Sequence, residues 1–246
     1  MASIKDAVED AFQENNAIIK YIIYSIPLFL IIHYADAEVW GYNCWVVLTG
    51  LLLFGFMLTC TYNVRKGNIY ILPSFNIFSV LWTGLKGLIA LAPVAAIAYF
   101  AAIFIANLIN GYISDESVAG VVCNIVYCIF ASLAFTSYLL YSHKFRILDA
   151  YNVKTLAKYC IDVLLAVAFM LVLIALVDVI IVIPITYLIW LFIGIPNPIA
   201  IFFWCVVGVA NLAMAGDYLA QISYEKIEVK ESEEADAKEA ENTKIN

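Results

Sequence analysis

Charge is what this 246-residue chain has least of. Lys, Arg, Asp and Glu together make up 13% of it, about half the share of a soluble domain. Apolar residues make up 65%, and mean hydropathy is +0.93. A soluble fold of this length has too little interior to hide so much apolar surface, which excludes that class and leaves the bilayer as solvent. Histidine is scarcer still, with only His33 and His143. No H-E-x-x-H, G-x-S-x-G, Walker loop or G-x-G-x-x-G occurs. A membrane hydrolase needs a nucleophile with a base, or metal ligands, at membrane depth. Neither is present, so no enzyme is expected, and with it no catalytic residue, cofactor or metal. A nucleic-acid partner is not expected either. The first sixteen residues set Lys5 against Asp6, Glu9, Asp10 and Glu14, the reverse of a basic leader, so no secretory signal is expected there. The cysteines (Cys44, Cys60, Cys123, Cys128, Cys160, Cys205) form no C-x-x-C and read as small apolar fillers.

What the chain has in abundance is long apolar runs. A helix needs about 20 such residues to cross the hydrocarbon core. The candidates are 17–34, 42–62, 85–109, 118–141, 159–183 and 199–220. They lack the apolar–polar alternation of barrel strands. The expected fold class is therefore all-α, an integral membrane helical bundle of about six spans in three hairpins. It fills a membrane domain over 1–222. From Glu225 to Glu241 eight acidic residues follow with no aromatic after Tyr224, so 223–246 reads as an acidic, disordered, solvated tail. The run from Cys160 to Gly194 is too long for one crossing at about 1.5 Å per residue. Pro184 is expected to break it, leaving 185–194 as a re-entrant piece or a kinked extension.

All 13 basic residues fall at the N-terminus, in the connections after the second and fourth spans, at adjoining span ends, or in the tail. Arg65 and Lys66 mark one connection; Lys144, Arg146, Lys154 and Lys158 mark the other. The opposite loops, 35–41, 110–117 and 195–198, have none. The positive-inside rule then places both termini in the cytoplasm and the protein in the cell membrane.

Each hairpin is preceded by an amphipathic stretch, expected to lie as a helix in the cytoplasmic headgroup plane. In the first, Ile4, Ala7, Val8, Ala11 and Phe12 oppose Lys5, Asp6, Glu9, Asp10 and Gln13. In the second, Phe75, Phe78, Trp82 and Leu85 recur in helical steps; in the third, Val153, Leu156 and Cys160 share a face. Phe12, Phe75, Phe78, Trp82 and Tyr151 are the candidate interfacial anchors. The second and third copies align without a gap at an offset of 76, Ile71–Ile77 on Ile147–Val153. The first fits through Asp10-Ala11-Phe12 on Asp149-Ala150-Tyr151 and Lys20-Tyr21 on Lys158-Tyr159. The expectation is an internal, parallel repeat.

With Ile4-Lys5-Asp6-Ala7 through Phe12, then Gly55 and Asn63-Val64-Arg65-Lys66-Gly67, the chain resembles an uncharacterised family of multipass membrane proteins of archaea and bacteria, the domain-of-unknown-function family 4013. Leu72-Pro73-Ser74-Phe75 leading to Gly84-Leu85-Lys86, and Leu148-Asp149-Ala150-Tyr151, carry the same resemblance. It covers roughly 1–220 and excludes the tail. It implies a membrane protein of several helices and brings no activity, substrate or catalytic residue.

Charges inside spans are the places to look for function. Lys20, Lys86, Asp162 and Asp217 lie near span ends and read as interfacial. Asp178 lies well along the fifth span, six residues before Pro184, and needs a donor or a proton if submerged. Asn107, Asn124 and Asn211 on other spans are the candidate donors, and together they form the candidate intramembrane polar site. Ala98, Ala102 and Ala106, every fourth residue of the third span, read as a close-packing face. Two functions stay open. One is a non-enzymatic protein that organises or senses the membrane, or scaffolds partners; the other is a transporter or channel for a small solute, ion or lipid. Membrane lipids are the expected partners, with a protein partner or a second copy of the chain left open.

Overall fold

The computed structural model describes residues 3–35, 41–113, 115–193 and 198–228, and among these there is no strand. The helices are α1 (Ile4–Phe12), α2 (Ala17–His33), α3 (Tyr42–Arg65), α4 (Ile77–Tyr112), α5 (Glu116–Lys144), α6 (Ile147–Ala150), α7 (Val153–Val177), α8 (Ile183–Ile193) and α9 (Pro198–Ser223). A π-helical turn, Asp178–Val182, joins α7 to α8. Five stretches are long and apolar enough to cross a membrane; α1 and α2, bent 89° apart, make a sixth if the pair counts as one span. Ile18, Ile97, Leu165 and Phe192 stand exposed along these helices, as side chains solvated by lipid do. The protein is an all-α membrane bundle.

Local chemistry sets the helix ends. Ser3 accepts the Asp6 N–H and starts α1. The polar run Gln13-Glu14-Asn15-Asn16 then interrupts the helix before α2. Asp115 accepts from the N–H groups of Ser117 and Val118 to start α5. Phe145, with φ 51° in the left-handed region, stops it. Asn76 accepts the Ser79 N–H at the head of α4, and Asn152 accepts the Thr155 N–H at the head of α7.

Two expectations need correction. The amphipathic stretches around 75–86 and 153–160 are not separate lying helices; each runs into its span without a break, in α4 and α7. Two helices stand apart ahead of a span: α1, which the polar run Gln13–Asn16 separates from α2, and the single turn α6, which Tyr151-Asn152 separates from α7. At about 1.5 Å per residue, the 36 residues of α4 reach about 54 Å. That exceeds a hydrocarbon core of about 30 Å, so its first turns project beyond it or the helix tilts. Nor does Pro184 end the helix, which stays continuous from Val153 to Ile193, so of the two alternatives for this segment the extension is the one that fits. A proline ring collides with the carbonyl four residues back and lacks an N–H. The wider turn at 178–182, where Ile183 N–H reaches the Asp178 carbonyl, accommodates it.

The described chain forms two compact units. The first comprises 3–88 and 169–219. Its core joins Ala11, Tyr21, Tyr24, Phe56, Cys60, Leu72, Val80, Val209 and Ala213. Here α3 and α4 touch through glycine. A Cβ on Gly55 would stand 2.0 Å from the Val80 carbonyl oxygen, and one on Gly84 2.0 Å from that of Leu51. The connection 66–76 is held by Asn63 Nδ2 donating to the Ile71 carbonyl at 3.0 Å and by Tyr24 Oη donating to the Ser74 carbonyl at 2.8 Å.

The second unit comprises 89–168 and, among the described residues, 220–228. Ala98, Ala102 and Ala106 are buried on α4, and the Cys123 thiol of α5 approaches the Ala106 carbonyl at 3.7 Å. The buried Ser137 hydroxyl donates to the Ala150 carbonyl at 2.9 Å. Tyr151 Oη donates to the Ala90 carbonyl at 2.9 Å.

Candidate functional site

Polar side chains gather at two places in the first unit. The first is near the start of α2. Lys20 is buried despite its charge. Its ammonium sits 2.7 and 2.8 Å from the two carboxylate oxygens of Glu14, which belongs to the break before α2. Above it lies the Phe75 ring, 5.4 Å from the nitrogen to the centroid. Cys60 of α3, fully buried, is within electrostatic reach of Lys20 and of Asp217 on α9. Asp217 itself has no solvent exposure. A Cβ on the neighbouring Gly216 would stand 3.0 Å from Cys60 Cβ and from the Met57 carbonyl oxygen, so α9 and α3 close tightly here.

Lys20 and Asp217 are therefore not the solvent-reaching side chains that their position near span ends suggests. A snorkelling side chain reaches water, whereas Lys20 and Asp217 are buried within the protein. For Asp217 the signal was in the sequence: Ala213, Ala215, Gly216 and Ala220 surround it, and small residues let neighbouring helices close over a polar group. For Lys20 no local pattern announces Glu14 and Phe75 as partners.

The second place is Asp178, half-buried at the head of the π turn. Asn211 of α9 donates its amide nitrogen to both carboxylate oxygens, at 3.1 and 3.0 Å. Of the three candidate asparagines the structure brings Asn211 alone to Asp178. Asn107 on α4 and Asn124 on α5 are exposed and belong to the other unit. The turn carries a further polar contact, Thr186 Oγ1 donating to the Val182 carbonyl at 2.8 Å.

Of the candidate anchors, Phe12, Phe75, Phe78 and Trp82 are exposed, Phe78 most of all at 86%. Phe75 doubles as the lid on Lys20, and Trp82 lies under the Lys86 ammonium, 5.3 Å from its centroid. Tyr151 departs from the group, half-buried with its hydroxyl bonded to Ala90 rather than presented outward. The α1 helix packs Ala7 and Ala11 inward and is tied down by Tyr21 Oη donating to the Ala11 carbonyl. On its outer side Asp10 has a carboxyl held above its ordinary range, chiefly by partial burial and then by the charges of Asp6 and Glu9. His33 stacks on Phe29 at 5.3 Å, and no group of metal-binding side chains forms among the described residues. Set against known proteins, the chain matches no family model, no curated protein and no solved structure.

Proposed function

We propose that this chain is a non-enzymatic multipass protein of the cell membrane that senses or organises the bilayer surface, with lipids as its first partners and α1 as its contact with the headgroups. In this reading both termini and all basic residues face the cytoplasm. Each basic residue close to anionic headgroups contributes on the order of 1 kcal/mol to holding that face. The observation that carries the reading is the 89° bend between α1 and α2. A helix at right angles to a membrane span lies along the membrane plane, and α1 does so with Phe12 exposed. Its position is coupled to the interior through Tyr21 on Ala11 and Glu14 on Lys20. A threefold duplication belongs to the same proposal. It is supported by the matched caps Asn76 and Asn152, and by the aligned carbonyls of Ala11, Ser74 and Ala150, each accepting a side-chain hydroxyl. So does membership of the family of unknown function 4013, which carries no activity with it.

The test places a bimane label at Phe12→Cys in a chain whose exposed Cys44 and Cys128 are Ser, reconstituted in vesicles. The label is expected to be quenched by brominated lipid and shielded from aqueous iodide; free access to iodide in every lipid composition would sink the reading. Acidity supplies a second arm. Because the Asp10 carboxyl is raised in the docked helix, protonation favours docking. Its contribution is complete below the unfolded value near 3.8 and is lost as pH rises through the raised folded value. The label should move toward water across that window, and Asp10→Asn should flatten the response.

A second reading, transport of a small solute, ion or lipid, is favoured by one observation, the Asp178–Asn211 pair on a π turn. Under it Asp178→Asn abolishes flux while insertion stays intact.

A further inference from the structure

Asp178 and Asn211 meet midway along their helices. Residue 178 is close to the centre of the apolar stretch 159–193, and residue 211 close to the centre of α9, Pro198–Ser223. Both residues thus lie well inside long apolar helices, away from either end. The hydrogen bonds to the carboxylate both come from the Asn211 amide, and among the described residues no Lys, Arg or His pairs with it. A neutral amide satisfies oxygen lone pairs without cancelling a charge. A carboxylate at that depth calls for a counter-ion.

The backbone of the same turn offers a further oxygen. Ile183 N–H reaches the Asp178 carbonyl in the i to i+5 pattern. The next donor in that register would come from position 184, which is proline and has none. The Val179 carbonyl therefore receives no helical N–H from that position. Backbone carbonyls released from helix pairing at membrane depth are cation ligands.

We propose that Asp178, Asn211 and the Val179 carbonyl form a binding site for a monovalent alkali cation. The donors are all hard oxygens, which excludes soft metals. A single carboxylate is neutralised by a single positive charge, whereas a divalent ion would leave an excess charge in hydrocarbon. Binding requires one rearrangement: the Asn211 amide turns over so that Oδ1, in place of Nδ2, faces the cation and the carboxylate.

This inference rests on the site of the transport reading, and binding is measured apart from flux. The full chain in nanodiscs is equilibrated with radioactive sodium in N-methylglucamine chloride. Its thermal midpoint is followed in sodium, potassium, magnesium and N-methylglucamine chlorides at matched ionic strength. One sodium per chain is expected, with a rise of about 4 °C at tenfold saturation. Binding should be lost in Asp178→Asn and weakened at least tenfold in Asn211→Ala, which retains the carboxylate. If Asp178→Asn does not fold, the stoichiometry of the unaltered chain and the Asn211→Ala comparison decide. No bound alkali ion above the blank, a shift that follows pH alone, or undiminished binding in Asp178→Asn would overturn the site. Binding without flux in proteoliposomes keeps the site and removes the transporter; flux without alkali binding does the reverse.

Discussion

Lys20 is a charge enclosed by its own fold. The Glu14 carboxylate and the Phe75 ring supply what water would otherwise provide, and neither is a helical neighbour in its span. That distance explains why a lysine near a span end reads as solvent-reaching from sequence while the structure buries it. Asp178 was legible as a polar oddity among Val177, Val179 and Ile180, yet which asparagine answers it depends on how the π turn meets α9. The ion pair at Lys20 has an asymmetric signature. Lys20→Met leaves Glu14 beside an apolar group and should cost about 3 kcal/mol. Lys20→Met with Glu14→Gln removes both charges and should recover more than half of that loss. Chemical unfolding of the reconstituted chain measures both. Equal losses in the single and double variants would show that packing at Lys20, and not the charge pair, stabilises the start of α2.

At the scale of elements, hydropathy marks where helices exist but not where they bend. The stretches around α1, the head of α4 and the head of α7 have similar amphipathic patterns. Only the first is followed by Gln13-Glu14-Asn15-Asn16, which lets the chain turn. The others run on because no comparable polar run separates them from their spans, and the lone Gly84 is held in the helix by its contact with α3. The expected break at Pro184, though not the extension beyond it, failed for a related reason. A proline predicts a missing hydrogen bond, and a π turn absorbs that loss without ending the helix. The contact of α3 with α4 is an element property too, since Gly55 and Gly84 act only together. Gly84→Val drives a side chain into the Leu51 carbonyl, so the helices must part, at a cost on the order of 3 kcal/mol. Gly50→Ala meets nothing within 4 Å and should be neutral or slightly stabilising. A thermal scan of the two variants checks the claim, and a Gly84→Val midpoint matching that of Gly50→Ala would refute the close approach.

For the whole molecule, the places of the long apolar helices were legible because partition into lipid depends on local apolar content and on little else. The division into two units was not legible. Its boundaries near 88, 168 and 219 fall inside α4, α7 and α9, where composition does not change and only packing distinguishes one turn from the next. Sidedness depends on charge over the entire chain and has a direct test. Moving a Lys/Arg-rich connection through hydrocarbon is unfavourable at every basic residue, whereas the loops at 35–41 and 110–117 carry none. Single cysteines at Asn68, Lys144 and Ser232 should therefore react with a membrane-impermeant maleimide only in inside-out vesicles. Cysteines at Ala35 and Tyr112 should react only in right-side-out ones. Labelling of Asn68→Cys and Lys144→Cys from opposite faces would mean an odd number of crossings between them. Either α4 or α5 would then fail to span, and the lying surface assigned to α1 would have to be reassigned with them.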